Sequence, residues 1–329
     1  MRHFYKTASV LILVLTLTCL SGCKAVGVLP DSSDKLSVVS TIFASYDFAR
    51  QIAGDEANVT MLLKPGAESH SYEPAPRDII TIQECDVFIY VGGENDAWVD
   101  NILASMDTSE ITIIKMLDLV DKYEEEHVEG MESHEHTDEC GHDHDSDDET
   151  DDHAEWDEHV WTSPVNAITI CEALTEAFIE TDDGNADVYK QNALDYIEEL
   201  KELDASFRKV VENGNRNTLI FGDRFPLRYF VEEYGLEYYA AFPGCSSDTE
   251  ASAATVAFLI DKVRDENISV VLKIELSSES MASTIAEDTD TMVLTFNTCH
   301  NITRDEFEAG ETYVSLMYKN VEVLKEALK

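Results

Sequence analysis

The chain has 329 residues, 44% of them hydrophobic, and a formal net charge of −44. That length holds two domains of ordinary size, and that apolar fraction is globular. So much negative charge excludes nucleic acid and anionic membrane surfaces as partners and draws cations instead.

Residues 1–22 read as a signal peptide. Arg2 and Lys6 give a basic start, and the apolar run from Ala8 to Leu20 is short for a bilayer span. The run closes on Leu20-Ser21-Gly22-Cys23, which resembles the cleavage box of bacterial lipoproteins. By that resemblance Cys23 becomes the lipidated first residue of the mature chain. The protein is then extracytoplasmic, anchored to the bacterial membrane by the lipid and a tether over 23–35. Disulfides are permitted there. Apart from Cys19 and Cys23, the cysteines are Cys85, Cys140, Cys171, Cys245 and Cys299. An odd number leaves at least one thiol free unless it binds metal or pairs between chains, and Cys140 is the natural odd one. Spacing does not fix the pairing. Cys245 with Cys299 is the expected bridge, since both follow predicted strands of one half.

From residue 36 the apolar pattern alternates strands (36–43, 59–63, 86–91, 111–116) with helices (46–52, 76–84, 96–106), the grammar of crossover units and a mostly parallel sheet. Then comes an acidic tract over 124–155 with almost no apolar residues. His127, His134, His136, His142, His144 and His153 lie in it, and His159 follows, seven of the chain's 10 histidines. Such a stretch cannot bury enough apolar surface to order itself, but imidazole and carboxylate together capture divalent metal. Helices follow at 163–179 and 186–212. In the second, Val188, Leu194, Ile197, Leu200, Leu203 and Phe207 recur at helical steps. At 1.5 Å per residue it spans about 40 Å, a stiff connector. The strand and helix alternation then resumes: strands at 218–221, 238–242, 269–274 and 292–296, helices at 227–233, 251–263, 278–287 and 312–328. The fold class is therefore α/β, in two lobes. An N-terminal lobe (36–183) and a C-terminal lobe (215–329), each with a small, mostly parallel sheet flanked by helices, are joined by one long rigid helix within 184–214. Ligands of such sheets sit at the carboxyl ends of strands, and the cleft between lobes is the natural pocket.

Beyond the tract and the signal, three histidines remain, His70, His159 and His300, each on a loop rather than on an apolar helical face. Three loop histidines in two lobes favour one shared metal site, which a carboxylate should join.

Three segments carry a family resemblance: Lys64-Pro-Gly-Ala-Glu-Ser-His70-Ser-Tyr-Glu-Pro74, Asp157-Glu-His159-Val-Trp-Thr-Ser-Pro164 and Thr312-Tyr-Val-Ser-Leu-Met-Tyr-Lys-Asn320. In this order they resemble the zinc/manganese solute-binding lipoproteins of bacterial ABC importers, across essentially the whole mature chain. The resemblance implies metal held between two lobes and a membrane permease that receives it. It places the first two ligands on His70 and His159. At the third position zinc carriers have His and manganese carriers a carboxylate. Here the stretch reads Phe221-Gly222-Asp223-Arg224-Phe225, and Arg224 stays protonated and cannot ligate. Asp223 fits both a ligand and a helix N-cap. Where relatives carry an Asp before the last helix, this chain has Thr298-Cys299-His300-Asn301. The expected set is His70, His159, Asp223 and His300, with Glu275 near the same rim. Three imidazoles and one carboxylate suit zinc; two and two would suit manganese. The carrier is expected to act as a monomer, with small lobe shifts rather than wide closure. Two other classes stand beside it. Against an exported zinc hydrolase, the chain has no HExxH helix and no Ser or Cys nucleophile framed by a base. An envelope metal buffer or adhesin would need no transporter.

Overall fold

The computed structural model describes residues 35–67, 72–131, 156–246 and 251–329. The signal peptide, Cys23, His70, His134, His136, Cys140, His142, His144 and His153 lie outside the described residues. Among the described residues no helix is long and apolar enough to cross a membrane.

The N-terminal lobe runs β1 (Leu36–Ser40), α1 (Phe43–Ala53), β2 (Ala57–Met61), α2 (Pro76–Gln83), β3 (Val87–Tyr90), α3 (Ala97–Leu103) and β4 (Thr112–Lys115). Its sheet has the order β2-β1-β3-β4 with every pair parallel. Strand β3 is buried at every residue, as an interior parallel strand covered on both faces must be, whereas the edge strand β2 is not. The C-terminal lobe runs β5 (Thr218–Phe225), α6 (Arg228–Tyr234), β6 (Glu237–Pro243), α7 (Ala253–Asp265), β7 (Val270–Ile274), α8 (Ser280–Thr289), β8 (Met292–Phe296), α9 (Arg304–Ala309) and α10 (Tyr313–Ala327), with the parallel order β6-β5-β7-β8. Strand order reverses between β1 and β3 and again between β5 and β7. Crevices form at the carboxyl ends of strands where it does.

Two helices lie between these sheets in sequence. Helix α4 (Pro164–Thr181) starts with proline at its first position and with Ser163 as cap, whose Oγ accepts the Asn166 amide at 3.3 Å. Helix α5 (Ala186–Glu212) has 27 residues. Its buried stripe is Tyr189, Ala193, Tyr196, Ile197, Leu200, Leu203 and Phe207. Val188 and Leu194, expected on that stripe, are 39% and 65% exposed. Spacing among aliphatic residues alone misled there. The tyrosines carry the four-and-three rhythm, and Val188 stands next to Tyr189 but on the adjoining face. Helix α9 was not expected, although the capping pair Thr303 and Glu306 announces it. Strand β5 runs four residues past its expected end. Its register with β6 slips between Phe221 and Arg224, a bulge that carries Asp223.

One continuous cluster of buried apolar side chains runs from β1 and α1 through α4 and α5 to β5, β8 and α10. Behind the cleft the lobes therefore share a core. The Phe48 and Tyr313 rings meet there at 4.8 Å. Asp47 on α1, fully buried, accepts the Tyr313 amide of α10 at 2.8 Å and the Tyr196 hydroxyl of α5 at 3.4 Å, and Arg50 pairs with it at 2.8 Å. Burial pushes its carboxyl above the usual range, against the pull of Arg50 and that amide. A carboxyl group hydrogen-bonded where three elements meet fixes their register. A shared core resists separation.

The cysteine expectation is corrected. Cys245 and Cys299 are both free thiols, as are Cys85 and Cys171. Cys299 is fully buried in the core behind the β8 loop, whereas Cys245 is half-buried on the turn after β6. Following strands of one sheet does not bring two residues together when those strands are the sheet's opposite edges, as β6 and β8 are.

Candidate metal centre

His159 sits just before α4, in the segment entering a single turn of 3-10 helix (Val160–Thr162), and its side chain is wholly buried. Asp157 Oδ1 accepts its backbone N–H at 2.8 Å and lies 3.2 Å from Nδ1. That contact selects the tautomer with the proton on Nδ1 and leaves Nε2 basic, the arrangement metal-binding histidines use. Burial pulls the imidazole pKa down, but Asp157 beside it, with Glu158 and Glu125, wins and raises it. Asp157 is itself held from the C-terminal lobe, since the Tyr229 hydroxyl donates to its carbonyl at 2.9 Å.

His300 comes from the loop after β8, across the seam. The two imidazoles stand 5.7 Å apart, edge to face. Trp161 backs both, at 5.4 Å from His159 and 5.1 Å from His300. Its indole N–H donates to the Thr298 carbonyl at 2.8 Å, and its own carbonyl accepts the Tyr313 hydroxyl at 2.7 Å. One buried side chain thus fixes the distance between the N-terminal imidazole and the loop of the C-terminal one. The turn leading toward His70 is tied to the same loop. Asn301 donates to the Lys64 and Ala67 carbonyls at 2.9 and 2.7 Å, and the Gly66 amide donates to Ile302.

The other expected groups lie less simply. Asp223 accepts the Arg224 amide at 2.8 Å, the Ile274 amide at 3.1 Å and the Ser277 hydroxyl. With those three donors its carboxylate stitches β5 to the end of β7. Arg224 donates to the Ser246 carbonyl at 3.2 Å. Glu275 accepts from the Thr298 amide and hydroxyl at 2.7 and 2.6 Å, and burial raises its pKa. It braces the loop that carries His300. His127, on the described part of the acidic tract, is exposed. Among the described residues no three His, Cys, Asp or Glu side chains already converge as a metal cage.

Three polar groups at this seam were not singled out from sequence. Glu158 accepts the Asn95 amide and side-chain amide, both at 2.9 Å, and burial lifts its pKa to about 7. Asp96 accepts the Val91 and Gly92 amides at 2.9 and 3.0 Å, and burial lifts it to about 6. Thr41 Oγ1, at the end of β1, is buried and has no hydrogen-bond partner among the described residues. With Tyr72, Trp161 and His300 these three line a cavity of about 30 Å³, the room of a single water. The only signal for them was position, each at a strand end or beside His159.

Asp96 carries a pH signature. Its folded pKa is about 6, whereas a free Asp titrates near ~4. The folded state therefore holds this proton more tightly. The stability it contributes is full below about pH 4 and is lost as pH rises toward 6. In metal-free protein, Asp96→Asn should flatten the fall of melting temperature over that window. An unchanged profile would place the titration elsewhere.

Two parallel four-stranded lobes, a shared core, a 27-residue helix and imidazoles facing across the seam define a two-lobed α/β binding protein. The family described as "ZnuA: Zinc-uptake complex component A periplasmic" matches residues 38–327, and the chain belongs to it. Among curated relatives, the zinc-binding lipoprotein AdcA of Streptococcus pneumoniae is 31% identical over 298 residues, 89% of this chain and 56% of that protein. The chain thus spans little more than half of AdcA. The high-affinity zinc uptake system protein ZnuA of Bacillus subtilis is 30% identical, over 90% of this chain and 88% of its own length. Among solved structures, the Zn(II)-bound ZnuA-like domain of S. pneumoniae AdcA superposes with a TM-score of 0.72 at 28% identity, covering 89% of this chain and 99% of that one. The metal-dependent lipoprotein YcdH of B. subtilis gives the same TM-score and identity over the same shares.

Proposed function

We propose that this protein is the extracytoplasmic zinc carrier of a bacterial ABC importer, anchored by a lipid at Cys23 and passing its cargo to a membrane permease. The observation that carries the reading is the pair His159 and His300, 5.7 Å apart across the seam, one polarised by Asp157 and both backed by Trp161. Neutral imidazoles on a carboxylate-rich rim are ligands of borderline-soft zinc. His70 is proposed as the third imidazole, on the segment whose preceding turn Asn301 draws to the His300 loop. The zinc-binding names of the relatives support zinc over manganese. The lipoprotein name of AdcA supports the anchor.

The histidine-rich tract is proposed as a feeder, capturing zinc weakly and raising its concentration at the cleft. Its described base is pinned where Glu124 bridges Trp156.

Metal-free protein given equal zinc and manganese should retain zinc after desalting, and manganese retained in preference would defeat the assignment. Removing residues 132–152 should lower total zinc stoichiometry while leaving one tight site. If tight binding disappears with the tract, the tract is the site and the seam is not.

A further inference from the structure

We propose that Glu125 supplies a carboxylate oxygen to the metal held by His159, in the place that sequence alone assigns to Asp223. This rests on the reading of the seam as the metal site and adds a group to it.

Glu125 belongs to a strap, residues 123–131, that leaves the N-terminal lobe and lies along the C-terminal one. Charge and shape hold it there. Arg228 of α6 pairs with Glu126 at 3.1 Å, and the Tyr238 hydroxyl donates to the same carboxylate at 3.4 Å. Lys262 of α7 pairs with Glu129 at 3.5 Å while resting 4.3 Å over the Tyr239 ring. Val128 and Met131 pack on the main core. Gly130 has φ +91°, and a Cβ there would stand 2.1 Å from the Phe258 ring, so only glycine lets the strap lie this close. On the seam side the strap is continuous with the segment holding His159. The Asp157 amide donates to the Tyr123 carbonyl at 2.9 Å.

The strap brings Glu125 to the imidazole. The Cys245 amide donates to Glu125 Oε1 at 2.8 Å. Its chain neighbour Gly244 lies so near His159 that a Cβ would be 3.3 Å from Cε1, the ring carbon between the two nitrogens. Glu125 is thus one peptide unit from the ring edge, and its charge helps keep the His159 pKa up.

Of the remaining acids of the seam, Asp157 is turned to the Nδ1 side of the ring and the others to groups of their own. Asp157 Oδ1 takes the N–H and Nδ1 of His159, and each Glu158 oxygen takes a donor from Asn95. Asp96 caps two amides of the β3 turn. Asp223 and Glu275 are occupied by β7 and by Thr298. Glu125 keeps Oε1 on the Cys245 amide, and its Oε2 takes no hydrogen bond from a described residue. An anchored carboxylate with one oxygen to offer is what a cation on Nε2 would draw in, and it offsets charge that two neutral imidazoles cannot. The strap holds both lobes, so this ligand would also tie metal occupancy to lobe spacing.

The test uses the full chain loaded with one equivalent of zinc, with affinity read by competition against a chromophoric chelator and ligands by zinc-edge X-ray absorption. Glu125→Gln should weaken the tightest site by about 10- to 100-fold and remove an oxygen from the zinc shell. Glu125→Asp should recover part of the loss, and Glu129→Gln, on the same strap, should change neither reading. Wild-type affinity and an unchanged oxygen count in Glu125→Gln, with the site lost in His159→Ala, would overturn the ligand and keep the seam. Equal weakening by Glu125→Gln and Glu129→Gln would reduce Glu125 to a strap residue and overturn the proposal. Retention of the site in His159→Ala would sink the seam reading itself.

Discussion

His159→Ala in protein lacking residues 132–152 is expected to lower zinc affinity by more than about 100-fold, the upper end of what losing an outer partner of a metal ligand costs. The buried imidazole is the group toward which the rest of the seam is built. Asp157 sets its tautomer, Tyr229 holds Asp157 from the opposite lobe, and Trp161 sets its distance from His300. Alanine removes the nitrogen and leaves Asp157 facing a void. Asp157→Asn tests the same chain of contacts one step back. It keeps the shape but weakens the acceptor facing Nδ1, and a smaller loss, about 10- to 100-fold, is expected. Competition against a chelator, with far-ultraviolet circular dichroism to verify folding, separates the two. Equal affinities in all three proteins would remove His159 from the site.

Trp161→Ala is expected to cost about 3–5 kcal/mol of stability, the range for emptying a large aromatic site in a core, and to abolish tight zinc binding as well. The side chain is wholly buried and among the largest so placed. Its indole N–H holds the Thr298 carbonyl, one residue from Cys299 and two from His300. Removing it leaves that carbonyl without its donor and lets the His300 loop drift from His159. Trp161→Phe keeps most of the packing and loses only the N–H. It should therefore keep most of the stability while still weakening zinc. Denaturant melts of metal-free protein, followed by zinc titration, read both effects. If Trp161→Phe bound zinc as tightly as the parent, the indole would be packing alone and would not set the seam.

Much of the architecture could be read from residue order because it rests on local signals. Strands buried on both faces read as continuous apolar runs, Pro164 behind Ser163 starts α4, and the 27-residue connector came out with its observed ends. The errors came where side-chain identity matters more than period. Val188 and Leu194 looked like core, but Tyr189 and Tyr196 fill it. The site divides in the same way. His159 and His300 could be picked out because loop histidines outside the acidic tract are scarce, and the fold does bring them together. Asp223 drew notice for its place in the chain. Its hydrogen bonds depend on a bulge in β5 that no pattern announces, and there it meets Ile274 and Ser277. For Glu125 the reverse holds. In sequence it is one of many acids in a charged run, and only the pairing of its neighbours with Arg228 and Lys262 sets it apart. The Cys245–Cys299 bridge failed because sheet order, not strand count, decides which strand ends are neighbours.

Everything functional here turns on where the cargo sits. Crystals of zinc-loaded protein lacking residues 132–152, measured on both sides of the zinc absorption edge, answer that directly. One strong anomalous peak is expected in the seam, about 2.0–2.1 Å from His159 Nε2 and at bonding distance from a His300 ring nitrogen. A peak bound to neither imidazole, or no peak in protein that still carries zinc in solution, would contradict it.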